Sequence, residues 1–143
     1  MGPSGKGKTT LIDIIMGLII PEEGIIKVDD KYILRNQSLN NIVNWRYSIS
    51  HVPQNVFLLD STIKENIIYD SKNYGKKDVQ KRLEEVTKIV CLDKFINSLP
   101  KGYSENVGER GSRFSGGQVQ RIGLARAIFN KNPIIILDEA TSG

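Results

Sequence analysis

The sequence predicts an α/β domain with a mostly parallel sheet, and three features of the chain support this fold class. A glycine-rich segment at residues 2–9 leads directly into an apolar pattern with helical spacing. The continuous apolar run Ile134–Leu137 is typical of a strand that is buried on both faces. Two acidic residues, Asp138 and Glu139, follow this strand at its carboxyl end, where open parallel sheets bind their ligands.

The composition is that of one folded domain. The 143 residues are 39% hydrophobic and 25% charged, which excludes a disordered chain. Lys and Arg number 20 against 16 Asp and Glu, and the resulting net charge of +4 suits a nucleotide phosphate but does not argue for DNA or RNA as a partner. The single cysteine, Cys91, excludes an internal disulfide and a cysteine-based zinc site. No apolar stretch is long enough to span a bilayer.

Residues 2–9 fit the phosphate-binding pattern G-x-x-x-x-G-K-[ST] at every fixed position. The glycines allow backbone turns that a Cβ would obstruct, so several N–H groups can point at one anion, as can the positive end of the following helix. Lys8 is expected to reach the β- and γ-phosphates, and the Thr9 hydroxyl to bind Mg²⁺. The residues expected to contact phosphate in this segment are Gly2, Pro3, Ser4, Gly5, Lys6, Gly7, Lys8, Thr9 and Thr10.

A flexible glycine- and lysine-rich N-terminus is the alternative for this segment. The phosphate-binding pattern requires a strand before the loop, and only Met1 precedes Gly2. The helix that the pattern requires after the loop is predicted, since apolar residues recur at helical spacing there.

The remaining elements follow from apolar periodicity and turn residues. The first helix, at residues 9–16, is expected to pack on a sheet and to end at Gly17 and Pro21. The next predicted elements are a hairpin with strands at 25–28 and 32–34, a weak helix or extended loop at 39–45, and a strand at 48–52. Helices are then predicted at 76–90, 92–99 and 119–129.

Three polar side chains lie at the predicted carboxyl ends of strands. Gln54 follows the strand at 48–52, where its side-chain oxygen can reach a bound ion or water; the alternative is an ordinary loop glutamine. Asp138 is placed to hold Mg²⁺ through water, and Glu139 to polarise an attacking water as general base. The alternative for this pair is two solvated acids at the end of a strand.

A second helix start is also suited to phosphate. Ser115 is a good N-cap, and Gly116 and Gly117 leave backbone N–H groups uncovered. The helix behind carries Arg121 and Arg126. A plain serine-capped helix is the alternative for this segment.

Together these residues resemble the ATP-binding domain of ABC transporters. Residues 2–9 match the Walker A motif, Gln54 the Q-loop, residues 114–118 the family signature and residues 134–139 the Walker B motif. The motif order is also the family's order. The resemblance implies a P-loop NTPase core with a mostly parallel sheet, a small antiparallel β part and an inserted helical subdomain, and it implies ATP and Mg²⁺ as cofactors.

The resemblance also implies how the site is assembled. Two such domains meet head to tail, and ATP on the Walker A loop of one is covered by the signature of the other. The signature residues implied are Ser115, Gly116, Gly117 and Gln118. The implied catalytic residues are Lys8, Gln54 and Glu139, and the implied metal ligands are Thr9, Gln54 and Asp138.

Residues 60–67 and 106–111 resemble the exporter branch of the family. An exporter uses ATP hydrolysis to drive export or flipping of a substrate across a membrane. The resemblance therefore implies a location on the cytoplasmic face of a membrane and a transmembrane domain as partner on the same full-length chain. It does not identify the transported substrate.

The chain departs from the family pattern at both ends. The strand before Walker A, the aromatic residue that stacks on adenine and the switch histidine are missing from the sequence. We therefore expect a truncated domain, with a nucleotide-binding core at 1–71 and 131–143 and a helical subdomain at 72–130. Loss of a central strand leaves unpaired sheet edges, so the isolated chain is expected to be marginally folded and a weak or inactive ATPase.

Two other functions are compatible with the motifs. A soluble ABC-type ATPase of DNA repair or translation carries the same motifs, but the exporter-like loop at 107–111 argues against it. A regulator that closes on ATP without hydrolysis is disfavoured because Glu139 supplies a general base.

Overall fold

Two compact units, Met1–Ile49 and Ser50–Gly143, make up the chain in the computed structural model. The structure describes residues 7–29, 31–34, 39–69 and 78–138. The elements of the first unit are α1 (Lys8–Ile15), β1 (Ile26–Val28), β2 (Lys31–Leu34) and α2 (Leu39–Tyr47). The second unit begins within β3, and its elements are β3 (Ile49–Val52), α3 (Ile63–Ile68), α4 (Val79–Ile89), α5 (Asp93–Ser98), α6 (Gly116–Phe129) and β4 (Ile134–Leu137).

Helix α1 ends where the sequence predicts, because Gly17 adopts a left-handed conformation (φ 71°) just beyond it. The N–H of Gly17 donates to the Ile14 carbonyl (2.9 Å), which satisfies one of the helix's last carbonyl groups. The indole Nε1 of Trp45, on α2, donates to the carbonyl of Ile15 (2.7 Å). Trp45 is buried, so this residue fastens α2 to the end of α1.

The apolar face of α1 is open to solvent. No residue of the helix is buried, and Leu11 and Ile15 are 58% and 37% exposed. The predicted packing of this face on a sheet is therefore not observed among the described residues, because the described elements of the first unit do not cover it.

Strands β1 and β2 form the predicted antiparallel hairpin. Val28 pairs with Lys31 and Ile26 with Leu34, with one irregularity in register between them. Asp29 in the turn has a positive φ of 48°, a conformation that aspartate tolerates well. The stretch predicted as a weak helix or an extended loop is a helix, α2.

Strands β3 and β4 are neighbours in a two-stranded parallel sheet. Their carboxyl ends meet, since the N–H of Asp138 donates to the carbonyl of Val52 (3.0 Å). Burial alternates along β4, and Ile135 and Leu137 are 42% and 47% exposed. The prediction that this strand is buried on both faces is wrong for the described residues, because the described part of this sheet has two strands and one face of β4 is uncovered.

Helix α3 is absent from the predicted elements, although a capping signal marks its start. The hydroxyl of Thr62 accepts a hydrogen bond from the N–H of Glu65 (3.2 Å). In return, the Glu65 carboxylate accepts from the Thr62 N–H (3.0 Å) and from the Thr62 hydroxyl (2.9 Å). This reciprocal capping box stabilises a helix of only six residues.

The core of the second unit lies among its helices. Leu83 and Val86 on α4 are fully buried, as their shared apolar face predicts. They belong to one cluster with Ile67 of α3, Ile96 of α5 and Phe129 of α6. Helix α4 begins at Val79, with Asp78 at the N-cap position but without a side-chain cap hydrogen bond. The earlier predicted residues 76 and 77 lie outside the described residues.

A tight turn at residues 107–111 leads the chain towards α6, as the glycines of this loop predict. Arg110 and Gly111 both have positive φ values, 52° and 78°. A Cβ on Gly111 would lie 3.0 Å from Val119 Cγ2 and 3.1 Å from Leu58 Cδ1. The turn is therefore packed between the first turns of α6 and the segment that follows β3.

We expect Gly111→Ala to lower the free energy of unfolding by about 1–3 kcal/mol, because it adds both backbone strain and contacts that are too close. Gly102→Ala is the matched control: its φ is also positive (51°), but a Cβ there would meet only the Ile96 carbonyl, at 3.9 Å. Urea denaturation of both variants separates strain from packing. Equal losses of stability would contradict the close packing described at Gly111.

The capping box at α3 predicts a pH dependence of stability. Hydrogen bonds from the N–H and hydroxyl of Thr62 lower the pKa of Glu65. Because the folded-state pKa is the lower one, the stabilisation is present above the unfolded-state pKa and is lost as the pH falls through the folded-state pKa. We expect Glu65→Gln to remove this contribution, so that its urea midpoint falls less on acidification than that of the unmodified protein. Parallel acid dependences would show that Glu65 does not titrate as described.

Candidate nucleotide-binding site

The start of α1 is shaped to receive an anion. Gly7 is its N-cap in a left-handed conformation (φ 77°, ψ 16°), and it supplies no side-chain cap. The first N–H groups of a helix have no intrahelical acceptor, and together with the positive end of the helix dipole they can bind an anion. Gly7 and Thr9 are exposed, and Lys8 is half-buried beside them. Residues 2–6 of the predicted loop lie outside the described residues.

The predicted metal-binding residues of the second unit follow neighbouring strands. Gln54 comes two residues after Val52, whose carbonyl accepts the N–H of Asp138. The structure thus brings the chain at Gln54 and at Asp138 to one edge of the β3–β4 sheet. Their side chains offer an amide oxygen and a carboxylate, which are the oxygen ligands that Mg²⁺ prefers. Glu139 lies outside the described residues.

The start of α6 carries the second predicted phosphate site. The Ser115 hydroxyl accepts a hydrogen bond from the Gln118 N–H (3.3 Å), and the Gln118 side-chain oxygen accepts one from the Ser115 N–H (2.8 Å). Ser115 is thus confirmed as an N-cap, and its hydroxyl retains a hydrogen to donate outwards. A Cβ on Gly116 or Gly117 would meet nothing within 4 Å, so this first turn is open to a ligand.

The two arginines on α6 form hydrogen bonds with main-chain carbonyls away from this helix start. The Arg121 guanidinium donates to the Cys91 carbonyl (3.2 Å). The Arg126 guanidinium donates to the carbonyls of Asn66 (2.7 Å) and Phe57 (3.0 Å). Both side chains satisfy backbone acceptors within the protein.

Arg126 and Asn66 form a polar centre that is not evident from the sequence. Asn66 is fully buried, and its Oδ1 accepts from the Leu59 N–H (2.9 Å) and from Arg126 (3.1 Å). Burial lowers the pKa of Arg126, whose guanidinium also stacks over the Tyr69 ring at 5.4 Å. The sequence does contain one signal of a close contact: Gly123 is a glycine in the interior of the predicted helix, where a glycine often marks the close approach of another segment.

A groove of about 270 Å³ opens beside this polar centre. Its walls are formed by residues of the 51–59 segment, by Tyr69, and by Gly123 and Arg126 of α6. Phe57 and Tyr69 at the groove are 58% and 50% exposed. The segment after Gln54 therefore presents an apolar surface to solvent.

Glycine-flanked or serine-capped helix starts and a parallel sheet with polar side chains after its strands are typical of nucleotide-binding α/β domains. The family model for the ABC transporter matches residues 1–142, so the chain belongs to the ABC transporter family.

Individual relatives point to the exporter branch. The chain is 44% identical to the ATP-dependent lipid A-core flippase of Bordetella avium (strain 197N), over 99% of this chain and 23% of that protein. It is 43% identical to the chloroplastic ABC transporter B family member 29 of Arabidopsis thaliana, over 99% of this chain and 22% of that protein. It also matches the solved structure of a bacterial Atm1-family ABC exporter with ATP bound, with a TM-score of 0.86, 34% identity, and coverage of 99% of this chain and 23% of that chain.

The chain thus spans less than a quarter of the length of these relatives. Within the residues that the structure describes, no helix combines the length and apolar character needed to cross a membrane.

The capping geometry of Ser115 predicts different effects on stability for two substitutions. Ser115→Ala should lower the free energy of unfolding by about 1 kcal/mol, because it removes the N-cap. Ser115→Asp should retain the stability, because aspartate caps a helix equally well and its charge favours the helix N-terminus. Chemical denaturation measures both. Wild-type stability of the alanine variant would show that the α6 start does not depend on this cap.

Proposed function

We propose that this chain is the ATP-hydrolysing domain of an exporter, in which ATP binding and hydrolysis drive export or flipping of a substrate across a membrane. The observation that carries the proposal is the pair of open helix starts, at Gly7 and at Ser115. Each offers backbone N–H groups to an anion. The relatives named as a flippase and an exporter support the transport role.

The first helix start would hold the triphosphate of ATP. The left-handed Gly7 turns the chain into α1, so the N–H groups of the loop and of the first helical turn can converge on phosphate oxygens. Lys8 would reach the β- and γ-phosphates as a point charge. The phosphate-contacting residues that we propose here are Gly2, Pro3, Ser4, Gly5, Lys6, Gly7, Lys8, Thr9 and Thr10.

The second helix start would close over an ATP molecule held by another copy of the domain. Ser115 can donate its hydroxyl hydrogen to a γ-phosphate oxygen while its oxygen still caps α6. Gly116 and Gly117 leave room for the nucleotide to approach the backbone. Gln118 would hold Ser115 in place, since its side-chain oxygen accepts the Ser115 N–H. A head-to-tail pair of domains would therefore hold two ATP molecules, each between the α1 start of one domain and the α6 start of the other.

The ATP would be bound together with a magnesium ion. Thr9, Gln54 and Asp138 would hold it, and their hydroxyl, amide and carboxylate oxygens match its chemistry. Magnesium, when bound, neutralises charge on the β- and γ-phosphate oxygens. Glu139 would orient and deprotonate the attacking water, and Lys8 and Gln54 would hold the γ-phosphate in position for that attack. The presence of this base favours hydrolysis over a purely regulatory role.

The exposed groove beside Arg126 is the surface that we assign to the transmembrane part of the protein. Phe57 and Tyr69 expose apolar area there, close in sequence to Gln54 and to the end of α3. A change in the position of Gln54 would therefore change the position of a segment bound in this groove. The domain would then lie on the cytoplasmic face of the membrane, with its core at 1–71 and 131–143 and its helical subdomain at 72–130.

The experiment that tests this function is the Glu139→Gln variant of the full-length protein. Because glutamine cannot accept the proton of the attacking water, we expect ATP to stay bound and turnover to fall by about 10²-fold or more. Glu22→Gln, at an exposed acid in a turn of the first unit, is the control and should turn over ATP normally. Retention of radiolabelled ATP and phosphate release are the measurements. Unchanged turnover of Glu139→Gln would remove Glu139 from the proposed role.

A further inference from the structure

One face of α6 runs along the segment that begins at Gln54. The side-chain Nε2 of Gln120 donates a hydrogen bond to the main-chain carbonyl of Gln54. Gln120 lies five residues after Ser115, on the same continuous helix. Gln120, which contacts the Gln54 main chain, and Ser115, which caps α6, are therefore parts of one rigid helix.

A close contact follows one turn further along this face. A Cβ on Gly123 would lie 2.7 Å and 2.8 Å from the two methyl carbons of Val56. No side chain fits between the helix and the segment at this point. The backbone of α6 and residues near Gln54 are thus held at a fixed separation.

Arg126 provides a third contact between α6 and the segment that begins at Gln54. Arg126 donates to the carbonyl of Phe57 (3.0 Å), and it is itself held by the carbonyl and the side-chain oxygen of Asn66. Residues 120, 123 and 126 are successive i, i+3 neighbours on α6, so their contacts follow one strip of the helix surface. Residues 54–57 are therefore fastened to α6 at three successive points.

Gln120 differs from the other contact residues because, within the described part of the chain, the Nε2 of its amide has a hydrogen-bond partner and the Oε1 does not. Its Oε1 is buried and has no hydrogen-bond partner among the described residues. A buried acceptor without a partner costs free energy, so this side chain is a poor choice for stability alone. An apolar residue of the same length would lose one hydrogen bond but would also remove the unpartnered oxygen.

We propose that Gln120 is a positioning residue for ATP hydrolysis, which fixes the main chain at Gln54 relative to the signature at Ser115. The proposal rests on the proposed function, because it assigns Gln120 an effect that passes through Gln54. When α6 is drawn towards a nucleotide by its N-terminus, Gln120 carries the Gln54 main chain with it. Loss of this bond leaves the helix start intact but allows Gln54 to leave its position.

The test is a double-mutant cycle in the full-length protein, with Gln120→Met and Gln54→Ala alone and together. Methionine keeps the length of glutamine and cannot donate to the Gln54 carbonyl. We expect Gln120→Met to lower kcat about fivefold, the value of one neutral hydrogen bond, with little change in KM for ATP or in the urea midpoint. In the Gln54→Ala background it should cause no further loss, because the side chain that it positions is already missing.

Two further variants control the test. Gln80→Met removes a comparable amide that donates to Glu84 (3.0 Å) on the exposed face of α4, and it should leave turnover unchanged. Gln120→Glu keeps the shape of glutamine but replaces the donor with an acceptor. It should reproduce the loss in kcat even if the methionine variant folds poorly.

The outcomes separate this inference from the proposed function. A fivefold loss in the wild-type background and none beside Gln54→Ala supports the proposal. Wild-type turnover of both Gln120 variants, or the same loss in both backgrounds, overturns it while leaving the ATPase function in place. Wild-type turnover of Gln54→Ala would overturn the role of Gln54 itself, and this inference with it.

Discussion

The position of α6 is the constraint on which the second unit depends. Its start is held by the Ser115–Gln118 capping box, its middle is pressed against Val56 at Gly123, and its end is buried through Phe129. A helix transmits such constraints along its length because its backbone hydrogen bonds are continuous. The Ser115-capped start of α6 and its contacts with the segment after Gln54 therefore belong to one rigid helix.

Arg126 shows how a charge is accommodated within this arrangement. Burial lowers its pKa, yet carbonyl and amide oxygens of Asn66 and Phe57 surround the guanidinium, and the Tyr69 ring covers one of its faces. Asn66 is fully buried and is satisfied in turn by Leu59 and Thr62. A fully connected polar network of this kind specifies one packing of α3 against α6, because any shift leaves a buried polar group without a partner.

Much of this architecture was predictable from local signals. The Ser115 cap, the 25–34 hairpin, the end of α1 at Gly17 and the buried face of α4 all depend on residues close in sequence. Three other features were not predicted. Arg126 binds carbonyls 60 and 69 residues away in sequence. Helix α3 has only six residues, and it is stabilised by its cap and by burial. The exposure of Ile135 and Leu137 depends on which strands flank β4.

The central claim is that one ATP molecule is shared between the loop at residues 2–9 of one copy and the α6 start of another. Mixing two inactive full-length variants, Lys8→Ala and Ser115→Arg, tests it most directly. In a head-to-tail pair, each mixed dimer contains one site with both substitutions and one intact site. The account predicts that mixing restores ATP retention that neither variant shows alone. Absence of any restoration, with mixed dimers verified, would contradict it.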